Sequence, residues 1–196
     1  MVIPTIGRPC LRDCLAALDA ATGPAPEQVV VVDDRPVRAG PLDVAVGPGP
    51  PVLPLQVVTS GGYGPAAARN VGWRITGTPW VAFLDDDVRV SGDWRSRLAE
   101  DLVGLPPAVA GVQGRIVVPV PGGRPATDWE RNTLGLASAN WITADMAYRR
   151  AALAEAGGFD ERFPRAFRED ADLALRLRAD GWQLRHGRRR VTPACG

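Results

Sequence analysis

The sequence predicts a single α/β domain on a mostly parallel sheet, and three observations carry that expectation. Met1-Val-Ile-Pro4 is a short apolar stretch with the character of a buried strand. After it, Leu11, Cys14, Leu15 and Leu18 fall at the i, i+3, i+4, i+7 spacing of an amphipathic helix, with Pro9 near its first turn. Val29-Val-Val-Val32 is then an unbroken β-branched run, the pattern of a strand covered on both faces. Strand, helix, strand in that order makes a right-handed βαβ unit.

Further along, residues 35–54 are dense in Pro and Gly without periodicity and make a surface connection. Leu55–Thr59 restores strand character. After Gly61-Gly62-Tyr63-Gly64, Pro65 opens a helix predicted to bury Ala68, Val71 and Ile75 on one face. Trp80–Leu84 is a buried strand that runs straight into three aspartates, and Asp93 is placed to cap a helix with the stripe Trp94, Leu98, Leu102 and Leu105. Val109–Val118 supplies another strand and Pro119–Thr127 a loop. The last third holds a strand at Ala144–Tyr148, a short helix at Arg150–Ala156, a Gly157-Gly158 turn, a helix over Arg168–Ala179 and an extended segment from Trp182 to Val191. The first half alternates regularly and the second does not, which is an α/β pattern with an irregular second half.

Composition narrows the function classes. The 196 residues, 45% of them hydrophobic, suffice for one core, so residues 1–196 form one domain. A net charge of +1 with both signs well mixed argues against a dedicated nucleic-acid binder. Arg188-Arg189-Arg190, the one basic block, is expected to be a solvated strand end. There is no lysine, which excludes Schiff-base chemistry and a Walker P-loop. Cys10, Cys14 and Cys195 form neither a CxxC pair nor a zinc set with His186, so a reducing compartment is the simpler reading, with Cys14 a small core residue. No apolar run approaches the ~20 residues of a membrane span, and the N-terminus lacks signal-peptide features; a cytoplasmic location is expected.

Chemistry concentrates at strand ends. Asp85-Asp86-Asp87 crowds three like charges, which repel and raise one another's pKa unless a cation is present. Hard oxygen donors suit Mg2+ or Mn2+, which keep waters and recruit phosphate oxygens. A lone Asp triplet is more often a solvated turn, but here Asp33-Asp34 ends the preceding buried strand in the same way, and ligands of parallel sheets gather at such carboxyl ends. Arg69 and Asn70 lie in the first turns of the helix after Pro65, where an anion is favoured; a plain surface role for Arg69 is an equal reading. Asp170 falls on the stripe of Leu173, Ala174 and Leu177, whereas Glu169 shares a face with Asp172 and Arg176, so Asp170 is expected to point inward as a structural group or a general base. Trp129 and Trp141 could stack on a sugar ring or sit in the core. His186, alone, carries little weight.

Taken as an ordered set, Val2-Ile-Pro-Thr5, Val30-Val-Val-Asp33-Asp34, Ala67-Ala-Arg-Asn70, Phe83-Leu-Asp-Asp-Asp87, Ala144-Asp-Met-Ala-Tyr-Arg149, Gly157-Gly-Phe-Asp-Glu161 and Glu169-Asp-Ala-Asp-Leu173 resemble the family 2 glycosyltransferases of GT-A fold over nearly the whole chain. The resemblance implies a Rossmann-like three-layer α/β sandwich with a mostly parallel central sheet. It implies inverting transfer of a sugar from a nucleotide-diphosphate donor to a carbohydrate or other acceptor hydroxyl, with Mn2+ or Mg2+ as cofactor. By position it assigns Pro4, Thr5, Asp33, Arg69, Asp85 and Asp86 to the nucleotide, Asp85 and Asp87 to the metal, and Asp170 to the base. The sequence departs from the family pattern in two places: it stops at Cys195-Gly196, as a truncated or minimal catalytic domain would, and Asp145 stands where a small Asn or Gly is usual, which puts acceptor recognition in doubt.

Other classes fit less well. A dehalogenase-type phosphatase would want Thr or Val where Arg89 stands, and a sugar-nucleotide pyrophosphorylase would want a Gly-rich N-terminal loop and a lysine. A non-catalytic nucleotide-sugar-binding module is the alternative from a different class.

Overall fold

The computed structural model describes residues 1–37, 40–45, 53–118, 135–163, 165 and 168–194. Its elements run β1 (Val2–Thr5), α1 (Cys10–Ala20), β2 (Val29–Asp33), β3 (Leu55–Thr59), α2 (Pro65–Arg74), β4 (Trp80–Leu84), β5 (Val88–Val90), α3 (Trp94–Leu102), β6 (Val109–Ile116), β7 (Asp145–Arg149), α4 (Arg150–Glu155), α5 (Glu169–Ala179) and β8 (Gln183–Pro193). The strands form one sheet in the order β3-β2-β1-β4-β7-β6-β8-β5. β1 to β4 are parallel, β6 and β8 follow the same direction, and β7 and β5 run against their neighbours. The expectation of a mostly parallel sheet is met, and the antiparallel insertion of β7 accounts for the irregular second half.

Alternation along each buried strand feeds two cores. Ile3, Val29, Val31 and Leu84 face α1 and α3, where Leu11, Leu15, Leu18 and Trp94 are buried. Val2, Val30, Val32, Val81 and Phe83 face α2, α4 and α5, with Trp73, Leu153, Leu173 and Leu177 opposite. That is a three-layer arrangement, and each of these aliphatic side chains contributes on the order of 1.5–3 kcal/mol by leaving water.

α2 differs from its expected face. It buries Ala66, Ala67, Ala68, Arg69, Asn70, Gly72 and Trp73, while Val71 is half-buried and Ile75 is exposed at the helix end. The reason is close packing on β1: a Cβ on Gly72 would stand 2.3 Å from Val2 Cγ1, so only glycine lets the helix lie this near the strand. Gly64, with φ 97°, turns the chain into the helix just ahead of Pro65.

Other expectations shift as well. Asp93 stands at the head of α3 but does not cap it; its carboxylate accepts from Ser91 and Arg97 instead. β5 was hidden, three residues being too short for a periodic signal. Arg189 is not solvated: it is fully buried, between exposed Arg188 and Arg190. Asp145 is fully buried too, accepting from Arg189 Nε at 2.7 Å and Trp94 Nε1 at 2.9 Å, so it holds β7 to β8 and α3 rather than facing an acceptor. Cys14 is a buried free thiol, as expected, whereas Cys10 is disulfide-bonded, against the reading of reduced cysteines. The 119–127 loop, Trp129 and Cys195-Gly196 lie outside the described residues. No described helix is long and apolar enough to cross a membrane.

Candidate active site

The parallel order β3-β2-β1-β4 brings the carboxyl ends of β1, β2 and β4 to one rim. In register, Thr5 pairs with Asp33, and the chain leaving β4 delivers Asp85 to Asp87 beside them. A cleft of about 480 Å³ opens there, lined by Pro4, Thr5, Arg8, Asp34, Arg69 and the three aspartates, with the Gly62–Pro65 turn and Arg165 along its wall.

Within the triplet the side chains alternate. Asp86 is buried and accepts a 2.5 Å hydrogen bond from Thr5 Oγ1, which itself accepts from Gly7 N at 2.9 Å. Asp85 and Asp87 are about a third exposed, at 32% and 39%, and face the cleft. Arg69 Nη2 donates to Asp85 at 2.8 Å, and Arg8 Nη1 donates to Asp87 and stands 3.4 Å from Asp86. Burial pushes the Asp86 and Asp87 carboxyls above their ordinary range, with neighbouring aspartate charge adding to the effect and Arg8 opposing it.

The second acidic pair divides differently from expectation. Asp33 accepts three bonds from Arg35, from its backbone N at 3.1 Å and its guanidinium at 2.8 and 2.7 Å, and does not line the cleft. Asp34 lines it, held by Ser60 Oγ at 2.7 Å and Gly64 N at 2.9 Å. Strand alternation produces the swap: the carboxylate one residue past β2 is the one aimed at the cleft.

Arg69 is the hinge of the site. Nearly fully buried, it gives its other fork to Glu169 Oε1 at 2.7 Å, and its guanidinium lies 5.7 Å from the Phe159 ring centroid. Burial opposes the charge, but Asp85 and Glu169 outweigh it and hold the guanidinium protonated. Glu169 therefore is the inward carboxylate of α5, correcting the helical-stripe expectation. In a first turn that starts from the left-handed Arg168 (φ 72°), the long Glu side chain reaches back to α2.

Asp170, the expected base, is half-buried and does not line the cleft. It accepts from Thr143 N at 3.3 Å and from Ala171 N at 2.8 Å. Burial raises its pKa, and Glu169 adds to the shift. Asn70 is structural: its amide bonds Phe159 O at 2.8 Å and Trp73 Nε1 at 2.9 Å. Trp141, at φ 65°, stacks on His186 with centroids 4.8 Å apart, so its ring already has a partner.

Two contributors escaped the sequence reading. Arg8 carried no motif, only its position in the turn after β1, and Arg165 had no local signal at all. Among the described residues no three His, Cys, Asp or Glu side chains converge into a ready cage for a metal. The donor set nevertheless fits Mg2+ or Mn2+, because Asp85 and Asp87 present oxygen to the cleft and such ions complete their shell with water and phosphate oxygens.

Residues 1–152 match the family model described as glycosyl transferase family 2. The pre-mycofactocin glycosyltransferase of Mycobacterium tuberculosis, in strains CDC 1551 and H37Rv, is 34% identical over 174 residues, covering 81% of this chain. The chain spans 35% of that relative's length. Among solved structures, mannosyltransferase PcManGT from Pyrobaculum calidifontis, in complex with GDP-Man and Mn2+, superposes with a TM-score of 0.69 at 22% identity, over all of this chain and 56% of that one. S. aureus TarS 1-349 in complex with UDP gives 0.63 at 16% identity, over all of this chain and 57% of that one. Both share the GT-A fold with this chain. With the family model matched over most of its length and a relative 34% identical over 81% of it, the chain belongs to glycosyl transferase family 2.

Proposed function

We propose that this chain is the donor-binding and catalytic part of an inverting, metal-dependent glycosyltransferase. The observation that carries the reading is the convergence of Asp34, Asp85, Asp87, Arg8 and Arg69 around one cleft at the carboxyl ends of parallel strands. Acidic and basic groups together suit a nucleoside diphosphate: carboxylates accept from ribose and base, guanidiniums donate to phosphate.

Pro4, Thr5 and Asp34 would border the nucleoside, with Asp33 supporting that wall through Arg35. Asp85 and Asp87 would hold Mn2+ or Mg2+, and when bound the cation offsets negative charge on the departing diphosphate. Asp86 fixes the triplet through Thr5. Arg8 and Arg69 lie where they can donate to phosphate oxygens once those aspartates turn to the cation.

Asp170 would take the proton of the acceptor hydroxyl as its oxygen bonds to the anomeric carbon and the carbon–oxygen bond to the diphosphate breaks. The product is inverted, and the proton resides on the carboxyl. A raised pKa suits a base because it strengthens proton affinity near neutral pH. The complexes of PcManGT with GDP-Man and Mn2+ and of TarS with UDP support a nucleotide-sugar donor.

The test is a screen of nucleotide sugars for thermal stabilisation with Mn2+, followed by NMR of the product formed with a hydroxyl acceptor from the stabilising donor. An inverted anomeric configuration supports the reading; a retained one contradicts single displacement.

A further inference from the structure

A second cavity, of about 380 Å³, lies away from the donor cleft and is lined by Ser91, Asp93, Arg97, Arg115, Arg188 and Arg190. Its guanidiniums come from three elements. Arg97 is on α3, Arg115 on β6, and Arg188 and Arg190 on β8. Arg115 and Arg190 are register partners on neighbouring parallel strands, so two like charges are set side by side, an arrangement that costs stability without a counter-charge.

The carboxylates at hand are already committed. Asp93 accepts from Ser91 Oγ at 2.9 Å and Arg97 Nε at 3.0 Å, and Arg97 also binds Glu100 at 2.9 Å. Asp101 accepts the backbone N–H of Arg188 at 2.9 Å and Arg189 Nη1 at 3.1 Å. Among the described residues, no carboxylate pairs with the side chains of Arg115, Arg188 or Arg190, all three of which are exposed. Strand alternation is what separates them: Arg189 turns inward to Asp145, and Arg188 and Arg190 are left on the outer face.

We propose that this pocket is an anion site for a phosphate-bearing ligand, distinct from the donor cleft. Three uncompensated guanidiniums around one concavity supply the forked donors that phosphate oxygens accept, and Ser91 adds a hydroxyl at the rim. An anion there relieves the Arg115–Arg190 repulsion, which is the physical gain absent from the empty pocket. The same chemistry serves a soluble phosphorylated compound and the phosphate of a lipid headgroup.

Calorimetric titration with inorganic pyrophosphate, in chelator and at low ionic strength, tests the site on the whole chain. The parent is expected to bind and Arg115→Gln/Arg190→Gln to bind at least about tenfold more weakly; added salt weakens binding. Both arginines are exposed, and an unchanged melting temperature verifies that the double variant folds. Sedimentation with phosphatidylcholine vesicles, with and without phosphatidylglycerol, identifies the source. Capture that needs phosphatidylglycerol and both arginines assigns a headgroup, and pyrophosphate binding without capture assigns a soluble phosphate. No binding by the parent, or equal binding by the double variant, overturns the proposal.

Discussion

Arg69 joins Asp85 at 2.8 Å to Glu169 at 2.7 Å, and so ties the carboxylate cluster after β4 to the first turn of α5 across the interior of the protein. Breaking a buried pair by removing one partner leaves the other charge stranded, at about 3–5 kcal/mol. Arg69→Met is expected to lose stability of that order in urea unfolding, and Arg69→Met/Glu169→Leu to recover most of it. Recovery fails to occur if the guanidinium acts only on ligand.

The triplet should separate by role. Asp85→Asn and Asp87→Asn are expected to weaken nucleoside diphosphate binding in Mn2+ at least about tenfold while changing binding in chelator little. Asp86→Asn, which keeps an oxygen to accept from Thr5 and removes a charge that burial disfavours, should instead be at least as stable as the parent at pH 7 and leave most of the metal dependence. Equal effects of all three on metal-dependent binding would remove the distinction between inward and outward carboxylates.

Asp170 sets a pH dependence. Burial raises its folded pKa above the ordinary ~3.9 of an aspartate, so the basic form that the proposed role in transfer requires is lost at a higher pH than for an exposed carboxylate. The rate should therefore rise with pH through that raised value. For stability the sign is the opposite: a raised folded pKa contributes stability present below the unfolded pKa and lost as pH rises through the folded one. Asp170→Asn is expected to be at least as stable as the parent at pH 7 and to transfer sugar at least about a hundredfold more slowly. A variant that keeps its rate would show the base to be elsewhere.

Arg189 and Asp145 make the corresponding structural test. Arg189 gives Nε to Asp145 at 2.7 Å and Nη2 to Val112 O at 2.6 Å, with no exposure of either side chain. Arg189→Leu should cost about 3–5 kcal/mol. Donor affinity measured below the variant's unfolding temperature should be unchanged, since neither residue lines the cleft.

Much of this was legible in the sequence because the physical signal was local. Val29–Val32 carries the pattern of a doubly covered strand, and aspartates following two parallel strands are expected at one rim. Pro4, Thr5, Arg69, Asp85, Asp86 and Asp87 all line one cleft. Most of what was not legible depended on pairing at long range. One miss was local: strand alternation turns Asp33 to Arg35 two residues on and leaves Asp34 at the cleft. A long-range one is Glu169, which rather than Asp170 turns inward because a buried guanidinium 100 residues away pairs with it. Helical periodicity cannot anticipate such a partner. Arg189 escaped for the same reason, since a basic run looks solvated until Asp145 and Asp101 are brought beside it.

The most direct test of the donor-site account is calorimetric titration of nucleoside diphosphates into the chain with Mn2+ and again after chelation. Binding with the metal is expected to be at least about tenfold tighter, and Asp85→Asn to lose that gain. Equal affinity with and without metal would contradict that expectation.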